Sequence, residues 1–267
     1  MFISFFTIQL VSFLLITNKF EYNIIFFWGG LCAVLVGSAS NVINDIFDVE
    51  IDKINRPERI LPRQLISISN AWIFYFFLVS FSILIAFKFI PLIPFLIIIM
   101  SNILLFIYSW KLKKSPFIGN FIVSFFIGLV FIYSSLLIGE FISGIIPFVF
   151  AFFLILSRET VKDIEDIEGD RQLSARTVPI VFGINMAKWM SIGALLVYFS
   201  FLVLSYVFAF YGLIFLLTVS IFVIVPGMFL CYKIFKSNSK KEYSQISKWL
   251  KFLILPSLTA IFLDKLL

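Results

Sequence analysis

Two stretches of this chain carry the same carboxylate pattern. Residues 44–52 read NDIFDVEID, and residues 162–170 read KDIEDIEGD. Aligned without a gap, Asp45, Ile46, Asp48, Glu50 and Asp52 recur as Asp163, Ile164, Asp166, Glu168 and Asp170. In each copy the three aspartates fall at i, i+3 and i+7, which puts them on one face of a helix. Like charges gathered this way are unstable alone, and hard oxygen donors of this kind suit Mg2+. Mg2+ usually binds a few carboxylates together with substrate phosphates. A diphosphate meets that demand, and its remaining oxygens call for basic neighbours. Lys113, Arg56, Lys162 and Arg171 are the candidates.

The elements that must position these groups are apolar helices. The 267 residues are 61% hydrophobic, and the mean hydropathy is +1.09. The apolar runs repeatedly exceed the ~18–20 residues that cross a bilayer. They lie at about 1–17, 23–44, 70–90, 92–110, 117–139, 142–160, 185–207, 211–232 and 247–266. They do not alternate polar with apolar residues, so helices rather than barrel strands are expected. Pro147, Pro226-Gly227 and Pro256 fall inside spans and should kink them. The chain starts directly in an apolar run, and no cleavable leader is expected.

Of the 21 Lys and Arg, all but Lys19, Lys88 and Lys265 lie in or beside the connections after even-numbered spans. The positive-inside rule then puts those connections, and the N-terminus, in the cytoplasm. Both acidic motifs fall at the cytoplasmic ends of spans 2 and 6. They are offset by 118 residues, or four helices. That spacing predicts two four-helix pseudo-repeats plus a ninth helix, one transmembrane domain over 1–267, with the acidic faces meeting across a central cavity. The lipid bilayer is the expected surrounding, and no nucleic-acid partner is expected.

The chain has no histidine. That excludes His-dependent nucleophile machinery and His-ligated zinc or haem. Cys32 and Cys231 sit singly in apolar runs and read as packing residues. A diphosphate at the membrane face beside an apolar interior points to an isoprenoid substrate. A metal would stabilise charge on the leaving diphosphate, and the allylic cation left behind needs dry surroundings and π faces. The chain holds 37 Phe, 9 Tyr and 5 Trp. Among these, Tyr108 and Tyr133 are candidates by their place in their spans. An acceptor nucleophile would capture the cation.

At this point the residues resemble the UbiA superfamily of intramembrane prenyltransferases. Its first signature is met by Asn44, Asp45, Asp48 and Asp52. The following DKINRPERILP has Ile60 where proline is usual, and Gln64 stands where glycine is common. Asp166 and Asp170 meet the second signature, followed by RTVPIVFG at 176–183. YSWKLKKSPFIGN at 108–120 is similar to the connection that supplies Lys113. The resemblance implies nine transmembrane helices around a cavity open to lipid. It also implies that Asn44, Asp48, Asp52, Asp166 and Asp170 hold Mg2+ and a prenyl diphosphate, with Asp45 and Asp163 as further ligands.

Residues 157–170, SRETVKDIEDIEGD, look most like an archaeal ether-lipid branch. That branch transfers a geranylgeranyl group from geranylgeranyl diphosphate to the sn-2 hydroxyl of geranylgeranylglyceryl phosphate, a membrane-borne lipid acceptor. One alternative is prenylation of an aromatic acceptor such as 4-hydroxybenzoate. Another, of a different class, is a cation transporter or channel. Against the latter, both clusters sit at one membrane face, whereas a transport site would lie near the midplane.

Overall fold

The computed structural model describes residues 24–55, 57–172 and 175–266. Within them, eight helical segments are long and apolar enough to cross a membrane. They match the expected spans 2 to 9, and no strand occurs among the described residues. The expected span at 1–17 and Arg56 lie outside the described residues.

Helix α1 (Ile24–Phe47) runs into a short α2 (Val49–Asn55). After a loop come α3 (Ile68–Phe89) and α4 (Leu92–Trp110), then a 3-10 turn over Leu112–Lys114. Next are α5 (Ile118–Leu136), α6 (Phe141–Glu165) and the short α7 (Ile167–Gln172) and α8 (Val178–Val181). Helix α9 (Ile184–Val207) precedes a span built from α10 (Leu213–Val219), a π-helical turn (Ser220–Ile224) and α11 (Val225–Lys236). The last span joins α12 (Lys240–Phe252) to α13 (Ile254–Leu266).

The prolines act as a missing N–H requires. The π turn ends at Ile224, two residues before Pro226, so the proline falls in the first turn of α11, where a missing N–H is tolerated. The last span divides at Leu253, so Pro256 sits in the first turn of α13, where no intrahelical N–H is needed. Pro147 is held inside α6 without dividing it. Side chains such as Leu84, Phe87 and Val225 face outward, as suits helices surrounded by acyl chains.

The buried apolar residues form two clusters. One runs from Phe26 to Leu137, the other from Phe150 to Ile261. This division agrees with two halves, and α5 straddles them: Tyr133 and Leu137 join the first cluster while Phe131 packs on the second. Helix α5 lies close against α6 because two glycines allow it. A Cβ on Gly144 would collide with Ser135 Oγ and sit 2.7 Å from the Phe131 carbonyl oxygen. One on Gly128 would sit 2.9 Å from the Phe148 ring. Small residues at such contacts let membrane helices gain van der Waals packing.

Lys188 is not a simple loop charge. It is buried, and its Nζ donates to the carbonyl oxygens of Phe235 (3.2 Å) and Ser237 (2.7 Å) and to Asn238 Oδ1 (3.3 Å). A cation there satisfies the open carbonyls at the end of α11 and ties the 237–239 connection to α9.

Candidate active site

The two acidic motifs fold alike. Helix α1 gives way to α2 at Asp48, and α6 gives way to α7 at the aligned Asp166. Backbone bonding continues through both bends. Asp48 N donates to the Asn44 oxygen at 2.8 Å and Asp52 N to the Asp48 oxygen at 2.8 Å. Asp166 N donates to the Lys162 oxygen at 2.9 Å and Asp170 N to the Asp166 oxygen at 3.0 Å. The bend leaves the expected face intact in the first copy, because one guanidinium reaches both of its ends. Arg59 Nη1 lies 2.9 Å from Asp45 Oδ1 and 2.6 Å from Asp52 Oδ2.

Arg59 is delivered by a compact loop. Arg63 N donates to the Arg59 oxygen, Gln64 N to the Leu61 oxygen and Leu65 N to the Ile60 oxygen. Gln64 adopts φ +56° to close it, a left-handed backbone that glycine takes without steric cost. This explains why glycine is common at that position in proteins this chain resembles. Sequence reasoning set Arg59 among the topology charges. Its place seven residues after Asp52 on the NRPER loop was the signal that could have found it.

Lys113 is brought to the first motif. It sits in the 3-10 turn between α4 and α5, and its Nζ forms an ion pair with Asp48. Its charge also acts on Asp170 of the second motif. Burial raises the pKa of the Asp170 carboxyl and Asp166 adds to the rise, while the Thr177 hydroxyl and the charges of Lys113 and Lys162 oppose it.

The second motif has a different set of neighbours. Asn120 Nδ2 donates to Asp163 Oδ2 at 2.8 Å. Lys162 Nζ lies 3.6 Å from Glu159 Oε2, a carboxylate outside the nonapeptide, and Arg158 pairs with the same Glu159. Arg171 is exposed at the end of α7. Of the four expected diphosphate-binding residues, Lys113 is therefore brought to the aspartates, Lys162 turns to Glu159, Arg171 faces outward, and Arg56 lies outside the described residues.

Tyr108 is buried at the end of α4 and lies within electrostatic reach of Asp48, Glu159 and Asp163. Tyr133 is a correction. Its hydroxyl donates to the Gly29 carbonyl oxygen at 3.1 Å. It lies 13 residues along α5 from Asn120, or ~20 Å at 1.5 Å per residue. It fastens α5 to α1 far from the carboxylates.

Among the described residues, no three acidic or cysteine side chains already converge as a metal cage. Arg59 and Lys113 instead neutralise the first motif. The donor set still fits a hard cation. Asn44 Oδ1 is buried without a hydrogen-bond partner, and Asp48 and Asp52 are only 8% and 5% exposed. Buried oxygens of this kind, one left unpaired, are the ligands a divalent ion with waters takes.

Comparison with known proteins identifies the family. The UbiA prenyltransferase family profile matches residues 5–254. A digeranylgeranylglyceryl phosphate synthase of Methanothermobacter thermautotrophicus is 34% identical over 252 residues, 92% of this chain and 85% of its own length. A solved structure of digeranylgeranylglyceryl phosphate synthase superposes with TM-score 0.82 at 28% identity, covering 99% of this chain and 94% of that one. A UbiA homologue from Archaeoglobus fulgidus, bound to GPP and Mg2+, shares the fold with TM-score 0.64 at 18% identity, covering 96% and 97%. With both motifs, their common bend and these relatives in view, the chain is a multi-pass membrane protein that belongs to the UbiA prenyltransferase family.

Proposed function

We propose that this protein transfers a geranylgeranyl group from geranylgeranyl diphosphate to the sn-2 hydroxyl of geranylgeranylglyceryl phosphate, with Mg2+, at the cytoplasmic face of the membrane. The observation that carries the site assignment is Lys113. Its ammonium group forms an ion pair with Asp48 in the middle of the first motif, and its charge lies within electrostatic reach of Asp170 in the second. The relatives named digeranylgeranylglyceryl phosphate synthase support the choice of acceptor.

Asn44, Asp48, Asp52, Asp166 and Asp170 would hold the metal, with Asp45 and Asp163 as additional oxygens. When bound, Mg2+ supplies positive charge that stabilises the departing diphosphate. Lys113 and Arg59 already lie against the carboxylates and can pass their hydrogen bonds to phosphate oxygens as the diphosphate arrives. The allylic C1–O bond breaks with its electron pair leaving on the diphosphate. The acceptor oxygen then forms the new ether bond to C1. Its proton passes to a carboxylate or to the diphosphate, because the chain contains no histidine. Tyr108 offers a π face near the carboxylates where the allylic cation forms. The buried apolar helices around it keep water from capturing the cation first.

The test is a transfer assay in detergent. Labelled geranylgeranyl diphosphate and Mg2+ are supplied with either geranylgeranylglyceryl phosphate or 4-hydroxybenzoate. A doubly alkylated glyceryl phosphate that disappears with EDTA is the expected product. Product from the aromatic acid alone would overturn the acceptor assignment. Labelling of cysteines placed in the 59–65 loop by an impermeant reagent, in sealed vesicles of known orientation, tests the cytoplasmic facing.

A further inference from the structure

Helix α6 carries an arginine inside its membrane-spanning length that the prenyl diphosphate site does not use. An ionisable group there is costly unless it has work to do. Arg158 is 23% exposed at its side chain, and it pairs with Glu159, itself 14% exposed. Its Nε is buried and has no hydrogen-bond partner. A guanidinium has five N–H donors in a planar fork. One nitrogen of this fork, Nη1, is taken by Glu159. The Nε on the edge beside it has no hydrogen-bond partner, and such an edge grips a phosphate through two parallel bonds.

The position along the helix says which phosphate. Arg158, Lys162 and Asp166 follow at i, i+4 and i+8, so they lie in one row. Arg158 stands deepest in that row and Asp166 at the bend that belongs to the metal site. Eight residues of helix separate them by ~12 Å. At that rise the guanidinium is offset from the bend, where a second anion bound beside the diphosphate would meet it. Glu159 keeps this end of the row in place. It takes both Arg158 and Lys162 as ion-pair partners, and its charge is felt by Tyr108 and Asp163. The acceptor hydroxyl must reach the allylic carbon next to the diphosphate, and only a short glycerol skeleton separates that hydroxyl from the acceptor's own phosphate. A second phosphate site about two helical turns from the bend matches that requirement.

We infer that Arg158, held by Glu159, binds the phosphate monoester of the acceptor and so selects a phosphorylated lipid alcohol. This rests on the functional reading above. The experiment compares wild type, Arg158→Gln and Arg158→Lys with two acceptors, geranylgeranylglyceryl phosphate and the phosphate-free geranylgeranylglycerol. The expected result is a rise of tenfold or more in acceptor KM for Arg158→Gln with the phosphorylated acceptor. Donor KM should be unchanged, Arg158→Lys should recover part of the loss, and the phosphate-free acceptor should show no difference between wild type and variant.

A parallel titration of the phosphorylated acceptor without donor or metal, read by thermal shift, should show weaker binding by Arg158→Gln. It also covers the case of a phosphate-free acceptor too poor to assay. An equal loss with both acceptors, a rise in donor KM instead, or unchanged binding in both assays would overturn the inference. If wild type uses 4-hydroxybenzoate but not the glyceryl phosphate, the functional reading fails and this one with it. If wild type uses the glyceryl phosphate and Arg158→Gln does so with unchanged KM, only this one fails.

Discussion

The two acidic nonapeptides share five residues and a bend, but their surroundings neutralise them differently. The first is compensated by cations brought from elsewhere: Arg59 from the loop beyond it spans Asp45 and Asp52, and Lys113 from the turn between the halves pairs with Asp48. In the second, Asp163 takes a neutral amide from Asn120, and the basic residues of its own helix pair with Glu159. Asp170 is left with a raised pKa because burial and then Asp166 outweigh the Thr177 hydroxyl and the charges of Lys113 and Lys162. The first motif thus meets a metal and its ligand with two cations paired to its carboxylates, whereas Asp163 of the second meets them with an amide as its partner. Duplicated sequence fixes where carboxylates lie along a helix; the neighbours decide how each copy is charged.

The largest effect should come from removing one carboxylate from each copy. Asp48→Ala and Asp166→Ala are each expected to lower Mg2+-dependent turnover by at least about 100-fold, since each removes charge that organises the leaving group. Both proteins should still insert in the membrane. Near-normal turnover in either variant would mean that one copy only ornaments the helix end.

A smaller effect separates the two modes of compensation. In protein free of diphosphate, Arg59→Gln removes a unit charge that competes with metal, so Mn2+ measured by electron paramagnetic resonance should bind about fivefold tighter or more. Asn120→Leu removes only a neutral donor, and Mn2+ affinity should change by less than about twofold while stability drops by ~1–3 kcal/mol. Equal shifts in metal affinity would break the distinction. Lys113→Ala belongs with the first group for metal binding, but it should also weaken use of prenyl diphosphate far more than it lowers expression.

Packing sharpens the comparison further. Gly144→Ala pushes α6, which carries the second motif, away from α5 and should cost about 1–3 kcal/mol by overpacking. On α1, which carries the first motif, no atom of the described residues beyond its own helix comes within 4 Å of where a Cβ on Gly37 would sit. Gly37→Ala should therefore be neutral or stabilise by up to ~1 kcal/mol. Thermal midpoints in a single detergent decide this. The smallest change is expected at Gln64. Gln64→Gly relieves a left-handed backbone and should alter stability by less than about 1 kcal/mol, because glycine also gains freedom in the unfolded chain. A large loss of Mn2+ discrimination there would show that the Gln64 side chain, not its backbone, places Arg59.

Much of this was legible in the amino-acid order. Eight apolar runs became eight spanning helices, and the recurrence at 118 residues became two helices that bend at the same aspartate. Lys113 was marked by its connection, and Tyr108 by its place at the end of a span. Arg59, Lys188 and Tyr133 were misjudged, each for the same reason. A basic residue in a loop and a tyrosine in a helix look alike in sequence whether they meet solvent, a carbonyl or a carboxylate.

The sequence by itself determined the environment of the chain, the number and order of its apolar helices over the described residues, and the spacing of its carboxylates. These follow from local periodicity and hydropathy, which need no knowledge of what lies alongside. Only the tertiary structure decided which cation reaches which carboxylate. Arg59 lies 14 residues from Asp45, Lys113 lies 65 residues from Asp48, and Asn120 lies 43 from Asp163. Contacts over such separations depend on how closely glycines let α5 approach α6 and how the 59–65 loop turns, and steric fit between distant segments settles both.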